Sequence, residues 1–172
     1  VIEVEKVYIY NDTIIINLTT TGSNGTVNVT INGKVYSVNN KQVVIDRIAA
    51  GDYTIIAELA ADENYTAATN STTFKVKQAA TSVAIGVGAV YYVGDDIVIT
   101  LTTVNSTDLT VTINGKPYTV SDGKVTIAGG LAAGNYTVNA ILAGNENYTG
   151  SNDTESFKVE KLQSELTINV TN

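Results

Sequence analysis

Cysteine and histidine are both absent from this chain. Their absence removes disulfide staples, thiol nucleophiles, zinc centres built on either residue and every histidine-based triad. Stability must come from packing and hydrogen bonds instead. Methionine is absent too, so the 172 residues are expected to be a piece of a longer chain. The one proline, Pro117, is too few for a proline-rich stalk, and there is no tryptophan. Basic residues are scarce, with 10 Lys and Arg against 17 Asp and Glu, a net charge of −7. No basic cluster occurs, and phosphate-backbone binding needs several cations on one face, so nucleic acid is not an expected partner. No apolar run approaches the roughly 18 residues of a membrane span, so no membrane insertion is expected within this segment.

What is present is said twice. Thr-Ile-Asn-Gly-Lys stands at Thr30–Lys34 and again at Thr112–Lys116. Ala-Ala-Gly-x-Tyr-Thr stands at Ala49–Thr54 and Ala132–Thr137, Glu-Asn-Tyr-Thr at Glu63–Thr66 and Glu146–Thr149, and Phe-Lys-Val at Phe74–Val76 and Phe157–Val159. The offset is 82 or 83 residues throughout, and the order of the blocks never changes. A period of that size indicates a tandem array of small domains, each with its own core. One copy is near the lower end of stable domain sizes.

Apolar residues alternate with period two, as in Val27, Val29, Ile31 and again in Leu109, Val111, Ile113. This is the pattern of strands with one face in a core and the other in water. The Asn-Gly steps at Asn32 and Asn114 predict tight hairpins, because a type I′ turn needs two residues with positive φ. Pro117 cannot donate to a ladder, which places its strand at an edge or at a strand start. Seven strands are expected per copy, at about 1–9, 13–20, 26–32, 34–38, 42–46, 52–60 and 71–77, then 81–92, 95–103, 109–114, 116–120, 124–128, 135–143 and 154–160. The count and turn signals suggest an antiparallel sandwich. Ala57–Glu63 has helix propensity, but its counterpart Ala140–Glu146 does not, so one architecture for both copies favours a strand. The short join near Lys77–Ser82 holds no Gly or Pro, and a stiff rod is expected from it. Leu166, Ile168 and Val170 align with Val83, Ile85 and Val87, so 163–172 is expected to open a third copy and to pair with a sheet edge in its own or a neighbouring chain.

Leu-Ala-Ala-Gly-Asn-Tyr-Thr-Val at Leu131–Val138, Ala-Gly-Asn-Glu-Asn-Tyr-Thr-Gly at Ala143–Gly150, Ser-Phe-Lys-Val at Ser156–Val159 and the Thr-Ile-Asn-Gly-Lys blocks form a string. Together they resemble the bacterial-type immunoglobulin-like repeats of large surface proteins, most nearly those of adhesin-like proteins of methanogenic archaea. The resemblance covers nearly all of residues 1–161, more loosely in the first copy. It implies an extracellular, cell-surface setting and a role in adhesion or spacing. Tyr53 and Tyr136, each opening a strand just after a Gly, resemble the tyrosine corner of such sandwiches, where the hydroxyl bonds back to nearby backbone.

Candidate sites are weighed against plain structural uses. Ten tyrosines could build a sugar-stacking platform, with Tyr65 and Tyr148 the best exposed candidates. Eight of the ten pair between copies (Tyr8 with Tyr91, Tyr36 with Tyr118, Tyr53 with Tyr136, Tyr65 with Tyr148), which a shared fold explains more simply. Asp62–Asn64, Asn145–Asn147 and Asp95–Asp96 could offer oxygens to Ca²⁺, but none has the ligand spacing of a calcium loop, and turns commonly use such residues. Asn-x-Ser/Thr sequons occur at Asn11, Asn17, Asn24, Asn28, Asn64, Asn70, Asn105, Asn135, Asn147, Asn152 and Asn169, taking eleven of eighteen Asn residues. That excess points to glycosylation at a cell surface. Lys75 and Lys158 lie where an isopeptide cross-link could form, but no matching Asn and buried acid accompanies them. The acids scatter over turns and differ between copies, so no catalytic pair, metal site or cofactor is expected.

The expectation is an all-β chain of two tandem immunoglobulin-like antiparallel β-sandwich domains of about seven strands each, at 1–78 and 79–162, plus an extra C-terminal strand at 163–172. The expected function is a non-catalytic segment of an adhesin-like surface protein, acting as stalk or in contact with another cell, a matrix protein or a glycan. The alternative is a carbohydrate-binding accessory module of a secreted enzyme.

Overall fold

A computed structural model describes residues 1–105 and 108–168. Every regular element among them is a strand. The chain divides into two compact units, the first holding Val1–Ala79 with Glu146–Thr149, the second holding Ala80–Asn145 and the stretch from Gly150 onward.

In the first unit the strands are β1 (Ile2–Glu3), β2 (Val7–Ile9), β3 (Ile14–Leu18), β4 (Val27–Ile31), β5 (Lys34–Tyr36), β6 (Gln42–Ile45), β7 (Gly51–Leu59) and β8 (Ala68–Lys77). They form a three-stranded sheet of order β1-β3-β6 and a five-stranded sheet of order β2-β8-β7-β4-β5. In the second unit β9 (Ser82–Gly86), β10 (Val90–Tyr92), β11 (Ile97–Val104), β12 (Leu109–Ile113), β13 (Lys116–Tyr118), β14 (Lys124–Ile127), β15 (Gly134–Leu142) and β16 (Ser151–Glu160) repeat the arrangement. Their sheets run β14-β11-β9 and β10-β16-β15-β12-β13. Each unit is an immunoglobulin-like sandwich of two facing sheets.

Period-two patterning explains the layers. On β3, Ile14, Ile16 and Leu18 are buried while Ile15 and Asn17 face outward. On β11, Ile97, Ile99 and Leu101 do the same. The first core gathers these β3 residues with Val29, Ile31, Val43, Ile45, Ile55, Phe74 and Val76. The second gathers Val111, Ile113, Val125, Val138, Ala140, Leu142, Phe157 and Val159 around β11. Burying each large aliphatic side chain contributes about 1.5–3 kcal/mol.

The first stretch of each copy is two strands, not one continuous ladder. β1 pairs antiparallel with β3, whereas β2 lies in the other sheet and pairs parallel with β8. The second unit does likewise, with β9 against β11 and β10 parallel to β16. A segment that crosses from one sheet to the other cannot keep one set of partners, so it breaks at Val4–Lys6 and again around Gly88. The amides at the break are taken up locally, with Glu5 N–H donating to the Tyr8 hydroxyl at 3.2 Å and Gly88 N–H to the Tyr91 hydroxyl at 3.0 Å.

Both Asn-Gly steps form two-residue turns, with φ of 46° and 80° at Asn32 and Gly33, and 47° and 80° at Asn114 and Gly115. Pro117 lies on β13, the edge strand of its sheet. The segment with helix propensity continues β7 to Leu59 and then turns. The extra C-terminal strand is not formed over the described residues 163–168. They make no ladder with their own chain, and Leu166 and Ile168 stay 89% and 79% exposed. A lone strand gains nothing until it meets an unpaired edge. Val170 and Asn169 lie outside the described residues.

Candidate functional site

The tyrosines divide by use. Phe74, on β8, is gripped from two sides. The Tyr53 ring of β7 stacks on it at 5.1 Å and 16°, and the Tyr8 ring of β2 meets it edge-on at 5.7 Å and 86°. Phe157 is held in the same way by Tyr136, at 5.2 Å and 16°, and Tyr91, at 5.6 Å and 81°. Tyr53 and Phe74 are cross-strand partners, as are Tyr136 and Phe157. Aromatic pairs of this geometry add about 0.5–1.5 kcal/mol beyond burial. The Tyr53 hydroxyl donates to the Ala49 carbonyl, and the Tyr136 hydroxyl to Ala132, both at 2.8 Å. Burial pushes the Tyr53 and Tyr8 phenols above their ordinary range. Tyr36 and Tyr118, on the edge strands, lie beneath the ammonium groups of Lys34 and Lys116 at 5.3 and 5.7 Å.

Tyr65 and Tyr148, paired in sequence, differ in surroundings. Tyr65 is 53% exposed. Its ring lies on Gly22, where φ is 88° and a Cβ would meet the ring at 2.8 Å. The Tyr148 ring is half-buried and meets Tyr10 edge-on at 5.2 Å, and its hydroxyl accepts from Asn11 Nδ2 at 3.2 Å. The two rings therefore do not form equivalent platforms.

Beside Tyr65, the Asp62–Asn64 cluster is used in a turn. Asp62 accepts from the Asn64 and Tyr65 amides through Oδ1, both at 2.9 Å, and from the Asn24 amide through Oδ2 at 3.0 Å. The Asn64 amide, with those of Asn24 and Tyr65, holds the exposed Asp62 carboxyl below the usual carboxylate range. One anion thus ties the loop before β4 to the loop after β7. An Asp followed two residues later by Asn is the legible part of this signal. The bond to Asn24 is not, because it spans 38 positions.

Asp95 and Asp96 also serve turns. Asp95 accepts from Tyr92 N–H and Asp96 from Gly129 N–H, each at 2.8 Å. Among the described residues no group of three or more acidic side chains gathers where a cation could sit. Lys75 forms an exposed ion pair with Asp52 at 3.0 Å, and Lys158 one with Glu160 at 2.9 Å. Both lysines are in solvent, the wrong setting for a shielded cross-link.

Of the sequon asparagines, Asn11, Asn17, Asn24, Asn28, Asn64, Asn70, Asn105, Asn135 and Asn152 are exposed, and Asn147 is half-buried. They are not equivalent as acceptors. The carboxamide nitrogens of Asn11 and Asn105 are engaged, on the Tyr148 hydroxyl and on the Ala80 carbonyl at 2.9 Å. Asn28 instead lies mid-strand with its side chain toward solvent.

No protein-family model matches the chain, and none of the curated proteins is detectably similar to it in sequence. Among solved structures it is similar to the fibronectin(III)-like modules of CbhA from Clostridium thermocellum, at 13% identity and a TM-score of 0.39, covering 98% of this chain and all of that one. It is also similar to titin domains z1z2 solved with telethonin, at 12% identity and a TM-score of 0.46, covering 94% of this chain and 98% of that one. A third is Sidekick-1 immunoglobulin domains 1-5, at 16% identity and a TM-score of 0.46, where the match covers 93% of this chain and 38% of the other.

Proposed function

We propose that this chain is a non-catalytic tandem immunoglobulin-like segment of an adhesin-like cell-surface protein, akin to those of methanogenic archaea. It acts outside the cell as stalk, adhesive surface or both, toward another cell, a matrix protein or a glycan. The observation that carries the reading is what was duplicated. Each copy repeats the same two-tyrosine grip on a phenylalanine, the same hairpin and the same parallel pairing of its second strand with its last. What recurs is packing and turn hydrogen bonding, as in Ile9 N–H to Asp12 and Tyr92 N–H to Asp95, so the repeat reproduces a scaffold. Weak contacts along repeated units add through effective concentration, which suits adhesion. The exposed sequons, with Asn169 outside the described residues, support an extracellular setting and glycan attachment.

The test is binding of the intact chain to candidate partner cells, against a control tandem of unrelated immunoglobulin-like domains. Saturable binding beyond the control supports adhesion. Equal background on every surface tried, with no glycan bound in an array, leaves only spacing. A carbohydrate-binding reading draws its one support from the open Tyr65 ring. It requires glycan binding that Tyr65→Ala abolishes.

A further inference from the structure

We propose that Asn24–Gly25 is a self-modifying site, where the chain spontaneously converts the Asn24 carboxamide to a carboxylate and so releases the loop tie built on Asp62. Three Asn-Gly steps occur in the sequence, at Asn24, Asn32 and Asn114. Glycine has no side chain to hinder its nitrogen, so at such a step the backbone nitrogen can attack the preceding carboxamide. All three asparagines are exposed, so access to water does not separate them. Hydrogen bonding does. Asn32 Nδ2 donates to the Asp52 carbonyl at 3.1 Å while its Oδ1 accepts from Thr54 N–H at 2.8 Å. Asn114 is held likewise by the Asn135 carbonyl and Thr137 N–H, at 3.2 and 2.9 Å. Neither carboxamide swings onto the following glycine nitrogen unless two bonds to an interior strand break. Among the described residues Asn24 bonds through its backbone N–H alone, to Asp62, and its carboxamide is unheld. The restraint there is on the nucleophile. Gly25 N–H donates to the Ser23 hydroxyl at 2.9 Å, and that buried hydroxyl donates to the Ala60 carbonyl at 3.1 Å. One bond thus stands where each hairpin has two.

The Gly25 nitrogen loses its proton to solvent base and bonds to Asn24 Cγ. The Cγ–Nδ2 bond breaks, and the nitrogen takes a proton from water and leaves as ammonia. Water then opens the five-membered imide at either carbonyl. The product is aspartate or, with the backbone rerouted through the side chain, isoaspartate. Nothing is oxidised or reduced. Either product puts a negative charge on the residue whose amide Asp62 Oδ2 holds at 3.0 Å, and like charges at this range repel. Isoaspartate also inserts a methylene just before Gly25, which lies so close to the Ala60 carbonyl that no Cβ fits there. Conversion therefore frees the loop before β4 from the loop after β7. It also ends the Asn24-Gly25-Thr26 sequon, because a carboxylate offers no amide nitrogen to a sugar.

Peptide mass spectrometry of the intact chain, after warm incubation at mildly alkaline pH, reads each step separately. Conversion at Asn24 should outpace that at Asn32 and Asn114 about tenfold, on the order of one further hydrogen bond to be broken in the hairpins. In urea that unfolds the chain the three rates should converge. Ser23→Ala should speed conversion at Asn24 and leave Asn32 and Asn114 unchanged, which a general loosening of the fold would not do. In the converted chain, amide exchange should rise in the loops on either side of the Asp62 tie. Equal rates at the three steps of the folded chain overturn the proposal. So does faster conversion at either hairpin, a rate at Asn24 indifferent to Ser23→Ala, or a converted chain whose loop amides exchange as before.

Discussion

Tyr53 and Tyr136 show how a residue with binding chemistry is committed to structure. Each ring covers a phenylalanine and each hydroxyl satisfies a carbonyl four residues earlier. Tyr53→Phe and Tyr136→Phe keep the ring and lose the bond. Each should lower stability by about 0.5–1.5 kcal/mol, read as a shift in denaturant midpoint at unchanged slope. Asp62 gives an acid-side prediction. Its folded carboxyl titrates below the ordinary value of 3.8, so the stability it contributes is present above that value and is lost as pH falls through the lower folded value. Asp62→Asn should flatten this part of the acid-unfolding profile. Tyr8 and Tyr53 act at the other extreme. Burial raises their folded pKa values above 10.0, so the unfolded chain ionises first. Their contribution is intact below 10.0 and declines as pH rises beyond it. Alkaline unfolding should accordingly begin above that value, with release of tyrosinate absorbance.

At the scale of elements, the hairpin asparagines do more than turn the chain. Asn32 donates to the Asp52 carbonyl at 3.1 Å and accepts from the Thr54 amide at 2.8 Å. Asn114 bonds to Asn135 and Thr137 in the same way. Each turn is thereby stitched to the start of β7 or β15. Gly33 and Gly115 have open space where a Cβ would go, so replacing them tests backbone conformation alone. Gly115→Ala should cost about 1–2 kcal/mol and raise amide exchange in β12 and β13 while leaving β11 protected. The turns, the alternating faces and the edge position of Pro117 were legible because each rests on neighbours within a few residues. The split of the first strand was not. Ile2 through Ile9 alternates well enough for one strand, and only the positions of two sheets decide that β1 and β2 serve different ones.

Taken whole, the molecule has an acid imbalance spread over two small sandwiches rather than gathered at a site. Charge of one sign aids solubility. Lowering pH into the carboxylate range removes the net −7 while weakening the Asp62 loop tie. Light scattering should rise there, and added salt should not restore clarity, because charge is lost and not screened. The sequence by itself determined the duplication, the all-strand pattern and the hairpin turns, since period and propensity are local properties. It also marked the tyrosines as shared parts of a fold. Tertiary structure alone decided which tyrosine meets which phenylalanine, that one carboxylate joins two loops, and that the first stretch of each unit serves both sheets. Those outcomes depend on contacts between residues tens of positions apart, fixed only when the two sheets of each unit close on one another.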